Sequence, residues 1–236
     1  MAYQFESRVR YSETDQKQRL SIGAVVDYFQ DCSTFQSEAL GIGFEYLRGQ
    51  KKVWMVLSWQ IEILRLPVLG EQITIQTWPY EFKAFYGNRN FALLDEAGNY
   101  LVKANSVWVL MDTVTGKPSK PTEKQLAGYV MEAPLEMEYT SRKITVEGEG
   151  ERMEPFAVCR QHLDSNNHVN NGQYIHMAEA YLPEDCRIKS LKVEYRRQAH
   201  LKDVIVPVLY QKEKEMLVTL CDEKAQPYAV VQFSYL

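Results

Sequence analysis

Apolar residues recur with a helical period in two segments, one near the start of each half of the chain. Residues 21–40 and 171–182 place apolar side chains three or four positions apart, which predicts amphipathic helices that each turn one face to a core. Ser21 is a suitable N-cap for the first helix, and Gly41 is placed to end it. An asparagine near Asn171 is placed to cap the second. The two stripes are Ile22, Val25, Val26 and Phe29 in the first helix, and Tyr174, Ile175, Ala178 and Leu182 in the second.

After the first helix the pattern changes to an alternation of apolar and polar residues. Ile73, Ile75 and Thr77 alternate with polar neighbours, as is typical of an antiparallel strand with one face on a core. Residues 95–99, Asp-Glu-Ala-Gly-Asn, have the composition of a hairpin turn. One long helix followed by long antiparallel strands in each half predicts an α+β fold in which a sheet wraps around a helix. The predicted strands of the first half are 53–65, 72–82, 87–94 and 100–112.

The second half weakly repeats the first. Residues 61–65, Ile-Glu-Ile-Leu-Arg, align with residues 193–197, Val-Glu-Tyr-Arg-Arg, and each stretch is followed by a turn and a second strand. Further on, residues 100–102 resemble residues 228–230, where each half begins its last strand. The repeat predicts two structurally similar domains.

The length of 236 residues fits two domains of about 100–120 residues each. Prolines and charges are frequent between Pro118 and Ser141, as expected of a connecting segment. We therefore predict an N-terminal domain over residues 1–130, a linker over 131–150 and a C-terminal domain over 151–236. A homodimer is compatible with this organisation.

Composition excludes several classes of protein. The formal net charge of −4 argues against nucleic acid as the main partner, because the chain has no excess basic field. No apolar run approaches the roughly 18 residues of a membrane span, and the start of the chain does not resemble a signal peptide. The four cysteines are scattered without a Cys-x-x-Cys pair, which predicts reduced thiols in a cytoplasmic protein, with no metal site and no cofactor.

Residues 164–171, Asp-Ser-Asn-Asn-His-Val-Asn-Asn, hold the densest candidate chemistry of the chain. They directly precede the second predicted helix, and free N–H groups at a helix start favour developing negative charge. A base, a carboxamide donor and such a helix end are the parts that acyl transfer requires. The alternative is an asparagine-rich turn that carries a polar surface histidine.

Five stretches give the whole chain a resemblance to the acyl-acyl carrier protein thioesterases, a family of tandem hot-dog domains. The most specific is Leu163 through Asn171 with Tyr174 and Ile175, which is close to the family's Leu-Asp-x-Asn-x-His-Val-Asn-Asn-x-x-Tyr-Ile. The others are 20–22, 53–56, 104–112 and 193–197. The resemblance implies hydrolysis of acyl carrier protein thioesters and two domains that each wrap an antiparallel sheet around a long helix.

By residue-by-residue match, the resemblance implies that His168 is the catalytic histidine, Asn166 the catalytic asparagine and Asp164 a supporting carboxylate. The alternative for Asp164 and Asn166 is that they only cap the loop. The chain departs from the plant pattern after Arg197, where Gln198 and Ala199 replace Glu-Cys. Gln198 can hold a water by hydrogen bonding but cannot take its proton, so His168 is expected to be the only base.

The resemblance also implies an apolar tunnel in the first domain for the acyl chain and a docking surface for the acidic carrier protein. We expect docking residues in the densest basic stretch, although ordinary solvated charges are the alternative. The candidate tunnel residues are Val25, Phe29, Trp54, Met55 and Val56, and the candidate docking residues are Arg187, Lys189, Lys192, Arg196 and Arg197.

Two other functions remain open at the level of sequence. One is a hot-dog hydratase that acts on an enoyl thioester through an Asp/His pair. The other is a catalytically silent protein that binds acyl chains or acyl thioesters, which only Gln198 favours. Release of the free thiol from an acyl carrier protein separates a thioesterase from both.

Overall fold

The structure is a computed structural model that describes residues 2–183 and 186–236. The chain divides into two compact units. The first extends to Leu57 and continues over 61–140, and the second combines 58–60 with 141–236. No helix among the described residues is long and apolar enough to cross a membrane.

The first unit packs one long helix against antiparallel strands. Its strands are β1 (Tyr3–Arg8), β2 (Lys52–Ile63), β3 (Gln72–Lys83), β4 (Tyr86–Leu94) and β5 (Tyr100–Asp112), and its helices are α1 (Ile22–Ala39), α2 (Phe44–Gly49) and α3 (Glu123–Leu126). The sheet order is β1-β3-β4-β5-β2, with antiparallel pairing from β1 through β5. α1 lies against β1 and β3. The core between helix and sheet contains Phe29, Ile73, Ile75 and Phe91, all buried.

The boundaries of α1 follow from its caps. The Ser21 side chain accepts a hydrogen bond from the Ala24 N–H, which satisfies a donor that the first helical turn leaves free. After the helix, Gly41 has φ +68°, a left-handed conformation that glycine adopts without a steric penalty. The predicted cap and the predicted stop are both confirmed.

The second unit repeats the plan with a shorter helix. Its strands are β6 (Glu151–Arg152), β7 (Phe156–Ala157), β8 (Ile188–Tyr195), β9 (Val204–Lys212), β10 (Glu215–Cys221) and β11 (Pro227–Tyr235), and its helix is α4 (Asn171–Glu179). The order is β8-β11-β10-β9-β6, and β7 also pairs with β9. α4 lies against β10 and β11. Ile175 of this helix is buried, as are Val193, Val218 and Phe233 of the strands. The predicted α+β class is confirmed.

Equivalent backbone hydrogen bonds show which residues of the two halves correspond to each other. The Leu101 carbonyl accepts from the N–H groups of residues 64 and 65, and the Tyr228 carbonyl accepts from those of residues 196 and 197. Leu101 therefore corresponds to Tyr228, and the predicted match of Tyr100 with Tyr228 is wrong by one residue. The reason is the preceding turn, which is closed in the same way by Asp95 and by Asp222, so that Tyr100 corresponds to Pro227.

Candidate active site

The loop before α4 is closed by the Asp164 carboxylate. Asp164 Oδ1 accepts hydrogen bonds from the backbone N–H of Asn166 at 2.8 Å and of His168 at 3.2 Å. The Asp164 N–H donates to the His168 carbonyl at 2.8 Å. Asn167 completes the reversal with φ 60°, a conformation that asparagine tolerates better than most residues. The loop therefore holds His168 at a fixed distance from the carboxylate.

Asn170 connects this loop to the helix. Its side chain accepts a hydrogen bond from the Gly172 N–H at 2.8 Å, so Asn170 is the N-cap and Asn171 is the first helical residue. The helix ends at Glu179, three residues before the predicted end. His168 thus lies two residues before the N-cap, close to the positive end of the helix.

The His168 imidazole is half-buried, and its pKa lies below the ordinary value for histidine. Burial is the largest cause, because it disfavours the charged imidazolium. The charge of His200 lowers the pKa further, while the Asp164 carboxylate raises it. The combined effect favours a neutral ring that can accept a proton at neutral pH.

The ring of His200 lies against this imidazole. The two ring centroids lie 4.9 Å apart with an angle of 76° between the planes. The segment that carries His200 is fastened to the loop because the Val169 N–H donates to the Ala199 carbonyl at 3.0 Å. The Ala199 N–H in turn donates to the Tyr174 hydroxyl at 2.9 Å. Sequence reasoning missed His200, whose only signal was its position directly after Gln198 and Ala199.

Gln198 belongs to the same segment but is exposed. Within residues 2–183 and 186–236, it is the His200 side chain, rather than that of Gln198, that contacts His168. Ala199, at the position of the family's cysteine, is buried and carries no nucleophile. The orientation of Gln198 toward His168 stays a prediction.

The first unit contains the same loop without the imidazole. Asp15 Oδ1 accepts from the N–H groups of Lys17 at 2.8 Å and Arg19 at 2.9 Å, and the Asp15 N–H donates to the Arg19 carbonyl at 2.7 Å. Gln18 has φ 59°, as Asn167 does in the second unit. Arg19 takes the place of His168 and forms an ion pair with Asp15 at 2.9 Å. An aspartate at this position therefore closes the loop whether or not a histidine follows.

The predicted tunnel residues belong to the first unit and differ in exposure. Val25, Phe29 and Val56 are buried, and the Phe29 ring lies 5.2 Å from that of Phe91. Trp54 and Met55 are half-buried. The centroids of the Trp54 and Phe82 rings lie 6.2 Å apart, so these two side chains pack against each other.

A buried cation in the same unit was not predicted. Arg89 is 7% exposed and donates through one terminal nitrogen to Gln36 Oε1 and Thr77 Oγ1. Its guanidinium carbon lies 5.2 Å from the centroid of the Tyr129 ring. Burial lowers the pKa of Arg89, because the interior disfavours its charge.

The predicted docking residues fall into two groups. Arg196 is held by Glu194 at 2.9 Å, and Arg197 is held by Asp222 at 2.8 Å while lying over the Tyr228 ring. In the other group, Arg187 and Lys189 are exposed, as Arg196 and Arg197 also are, and Lys192 is half-buried.

The cysteines differ in environment. Cys32 and Cys221 are buried, Cys186 is partly exposed and Cys159 is exposed. Burial raises the pKa of the Cys32 thiol to about 12, which disfavours the nucleophilic thiolate. Cys159 Sγ lies 3.5 Å from both ring nitrogens of His162.

Comparison with known sequences gives matches along most of the chain. Residues 1–129 match the acyl-ACP thioesterase N-terminal domain, and residues 146–227 match the acyl-ACP thioesterase C-terminal domain. A chloroplastic acyl-[acyl-carrier-protein] hydrolase of Cuphea viscosissima is 28% identical over 216 residues, which cover 85% of this chain and 52% of that protein. The chain spans about half the length of these curated chloroplastic relatives.

Comparison with solved structures gives matches to the fold of the whole chain. An acyl-ACP thioesterase from Bacteroides thetaiotaomicron superimposes with a TM-score of 0.92 at 21% identity, covering 100% of this chain and 98% of that one. The 12:0-ACP thioesterase from Umbellularia californica superimposes with a TM-score of 0.86 at 19% identity, covering 100% and 97%. At these identities the likeness establishes the fold.

Proposed function

Since the chain belongs to the acyl-ACP thioesterase family, we propose that it hydrolyses acyl-acyl carrier protein thioesters. The products are a free fatty acid and the thiol of the carrier protein's phosphopantetheine arm. The observation that carries the proposal is the half-buried His168 imidazole, whose pKa is lowered and whose loop precedes a helix N-terminus.

His168 acts as the general base. A water attacks the thioester carbonyl carbon while the imidazole takes one of its protons, which forms a tetrahedral oxyanion. When the oxyanion collapses, the carbon–sulfur bond breaks and His168 returns the proton to the leaving sulfur. The lowered pKa favours the first step because the ring must be neutral to accept a proton.

The amide of Asn166 is the proposed donor to the oxyanion. The Asn166 amide is held only weakly within the loop, because its Nδ2 lies 3.5 Å from Asp164 Oδ2, which is long for a hydrogen bond. The amide can therefore turn its N–H groups toward a substrate oxygen. Asn166 is also exposed, so a substrate carbonyl can reach it. Donors aimed at an oxyanion lower the barrier because they stabilise charge that exists only in the transition state.

Asp164 and Gln198 have supporting roles in this mechanism. Asp164 fixes the loop and thereby the position of His168, as its two backbone hydrogen bonds indicate. Gln198 helps to hold the attacking water. It cannot serve as a base, because a carboxamide takes no proton at neutral pH.

Each unit is proposed to be a hot-dog domain, with its main helix covered by its own antiparallel strands. The first domain holds the acyl chain, for which the half-buried Trp54 and Met55 are better placed than the core residues Val25, Phe29 and Val56. Arg187 and Lys189 are the leading docking residues for the acidic carrier protein, because they are exposed, whereas the equally exposed Arg196 and Arg197 are each held by a carboxylate. The four free cysteines favour a reducing compartment, and we propose the cytoplasm.

The test is incubation of the protein with a panel of acyl carrier proteins that bear saturated chains of different lengths. Mass spectrometry of the carrier follows loss of the acyl group without interference from Cys159. We expect holo-carrier protein and free fatty acid in equal amounts. Hydration of an enoyl carrier thioester without thiol release would identify a hydratase instead. Stable binding of the acyl carrier without release would identify a binding protein.

A further inference from the structure

His200 stands beside His168 without a role in the mechanism above. The ring planes of the two residues meet at 76° with centroids 4.9 Å apart, an edge-to-face arrangement within the range of aromatic pairs. His200 is itself exposed, so solvent can exchange its proton.

A tight turn holds His200 in place. The His200 N–H donates to Asp203 Oδ2 at 2.9 Å, and the Asp203 N–H donates to the His200 carbonyl at 3.1 Å. His200 Nδ1 lies 3.7 Å from the same carboxylate oxygen. That oxygen also accepts from the Tyr228 hydroxyl at 3.3 Å. The imidazole therefore has an anchored backbone and an anion next to its ring.

The equivalent turn of the first unit shows that the fold does not require this imidazole. There the Val68 N–H donates to Glu71 Oε2 at 2.9 Å, and the Glu71 N–H donates to the Val68 carbonyl at 3.0 Å. Val68 is thus the counterpart of His200. It forms an isolated β-bridge with Arg19, the counterpart of His168. An imidazole occurs at this turn only in the unit whose loop carries a histidine.

We propose that His200 is a positioning residue, whose ring packs against the catalytic imidazole of His168 and places a second basic group beside it. This inference rests on the proposed function, because it assigns His168 as the base. Charges of both signs face the catalytic ring, since Asp164 on its own loop favours the imidazolium and His200 on the neighbouring turn disfavours it. Behind His200 lie Asp203 and Tyr228, and Arg197 lies over the Tyr228 ring.

Two substitutions separate packing from charge. His200→Phe keeps an aromatic ring against His168 but removes the second basic group, whereas His200→Val introduces the residue that the first unit uses at the equivalent turn. For His200→Phe we expect the pKa of His168 to rise by about 0.5–1 unit, since a positive charge at about 5 Å is lost. The acid limb of the kcat/KM profile should move to higher pH by the same amount. At acidic pH the kcat/KM of His200→Phe should therefore fall about 3- to 10-fold, while its value on the plateau at higher pH should equal that of the parent.

His200→Val should show the same shift with a lower plateau, because His168 also loses its packing partner. The pKa of His168 is read from its ring proton resonance by NMR, which needs no activity. His176→Phe is the matched control, since His176 lies on α4 in the same unit and is absent from the interactions that shift His168.

The proposal is overturned if His168 titrates at the same pH in the parent and in His200→Phe. It is also overturned if the His176→Phe control gives the same shift. Failure of the proposed function has a different signature, namely that no thiol is released by the parent or that His168→Ala keeps its activity. In that case the NMR titration still decides whether His200 controls the protonation of His168.

Discussion

At the scale of single residues, a comparison of Asp15 with Asp164 distinguishes a structural role of the carboxylate from a chemical one. Both carboxylates accept two backbone N–H groups within their own loops, yet only the second loop contains an imidazole. The shared geometry supports loop closure as the role of Asp164, and proton transfer by His168 stays a proposal. The charge of Asp164 has one further effect, which is to raise the pKa of His168.

Substitutions of Asp164 should therefore alter the pH profile in the direction opposite to His200→Phe. Asp164→Asn keeps an oxygen that can accept the loop hydrogen bonds but removes the charge. We expect the pKa of His168 to fall and the acid limb of kcat/KM to move to lower pH. Asp164→Ala should also lose about 1–2 kcal/mol of unfolding free energy, because two N–H groups lose their acceptor.

Asp15→Ala is the matched control for that pair, since it removes the same loop bonds from the first unit together with the ion pair to Arg19. It should destabilise the protein to a similar degree and leave the acid limb unchanged. An acid limb that stays in place in Asp164→Asn would show that Asp164 does not act on the charge of His168.

Gln198 gives a second prediction at this scale. Gln198→Leu should lower hydrolysis several-fold if the amide holds the attacking water, whereas Gln198→Glu should keep or raise the rate because a carboxylate adds a second base. The comparison is a pH–rate profile of the three proteins on one long-chain acyl carrier thioester. If Gln198→Leu equals the parent at every pH, the water is held by other groups.

At the scale of elements, α1, β3 and β4 of the first unit share a buried polar group. Arg89 on β4 donates to Gln36 on α1 and to Thr77 on β3. A buried guanidinium is costly unless its donors are satisfied, so each acceptor stabilises the packing of helix on sheet.

Gln36→Leu should lower the free energy of unfolding by about 2–3 kcal/mol, because a hydrogen bond to a charged donor is lost inside the protein. The double variant with Arg89→Met should be more stable than the sum of the two single effects predicts, since the unpaired charge is removed as well. Denaturant unfolding of all four proteins measures this coupling. Additive losses would contradict the assigned contact.

The long elements were predictable from sequence because their patterns extend over several turns or alternations. The first helix was predicted at 21–40 and runs from Ile22 to Ala39, and the predicted strand 100–112 is β5 without change. The six-residue α2 and the two-residue β6 and β7 were missed, since a pattern needs more residues than these elements contain.

The candidate site was partly predictable for the same reason. Asp164, Asn166 and His168 lie within five consecutive positions, so one local loop brings them together. His200 is distant in sequence and reaches His168 through the backbone hydrogen bond between Val169 and Ala199. Such a contact depends on the tertiary fold, so the spacing of residues along the chain does not predict it. The roles of these residues in turnover stay predictions.

At the scale of the whole molecule, the proposed function requires a chain with a net charge of −4 to bind an acidic carrier protein. The structure restricts the candidates, because Arg196 and Arg197 already have carboxylate partners. The exposed Arg187 and Lys189 remain available to meet an acidic surface.

The double variant Arg187→Glu with Lys189→Glu should raise KM for an acyl carrier thioester about tenfold and leave kcat nearly unchanged, since reversed rim charges slow association. The effect should weaken at high salt. Lys117→Glu with Lys120→Glu makes the same charge change at two exposed positions of the first unit. An equal rise of KM in both double variants would show that the overall net charge causes the effect, and would contradict a docking role of Arg187 and Lys189.

The central claim is that His168 is the base of a thioester hydrolase. Its most direct test is the single-turnover rate of acyl release from one acyl carrier thioester, measured for the parent and for His168→Ala. We predict that the variant is slower by about 100-fold or more, the range for loss of a general base, with an unchanged circular dichroism spectrum. A folded His168→Ala that releases the acyl group at the parent rate would contradict the claim.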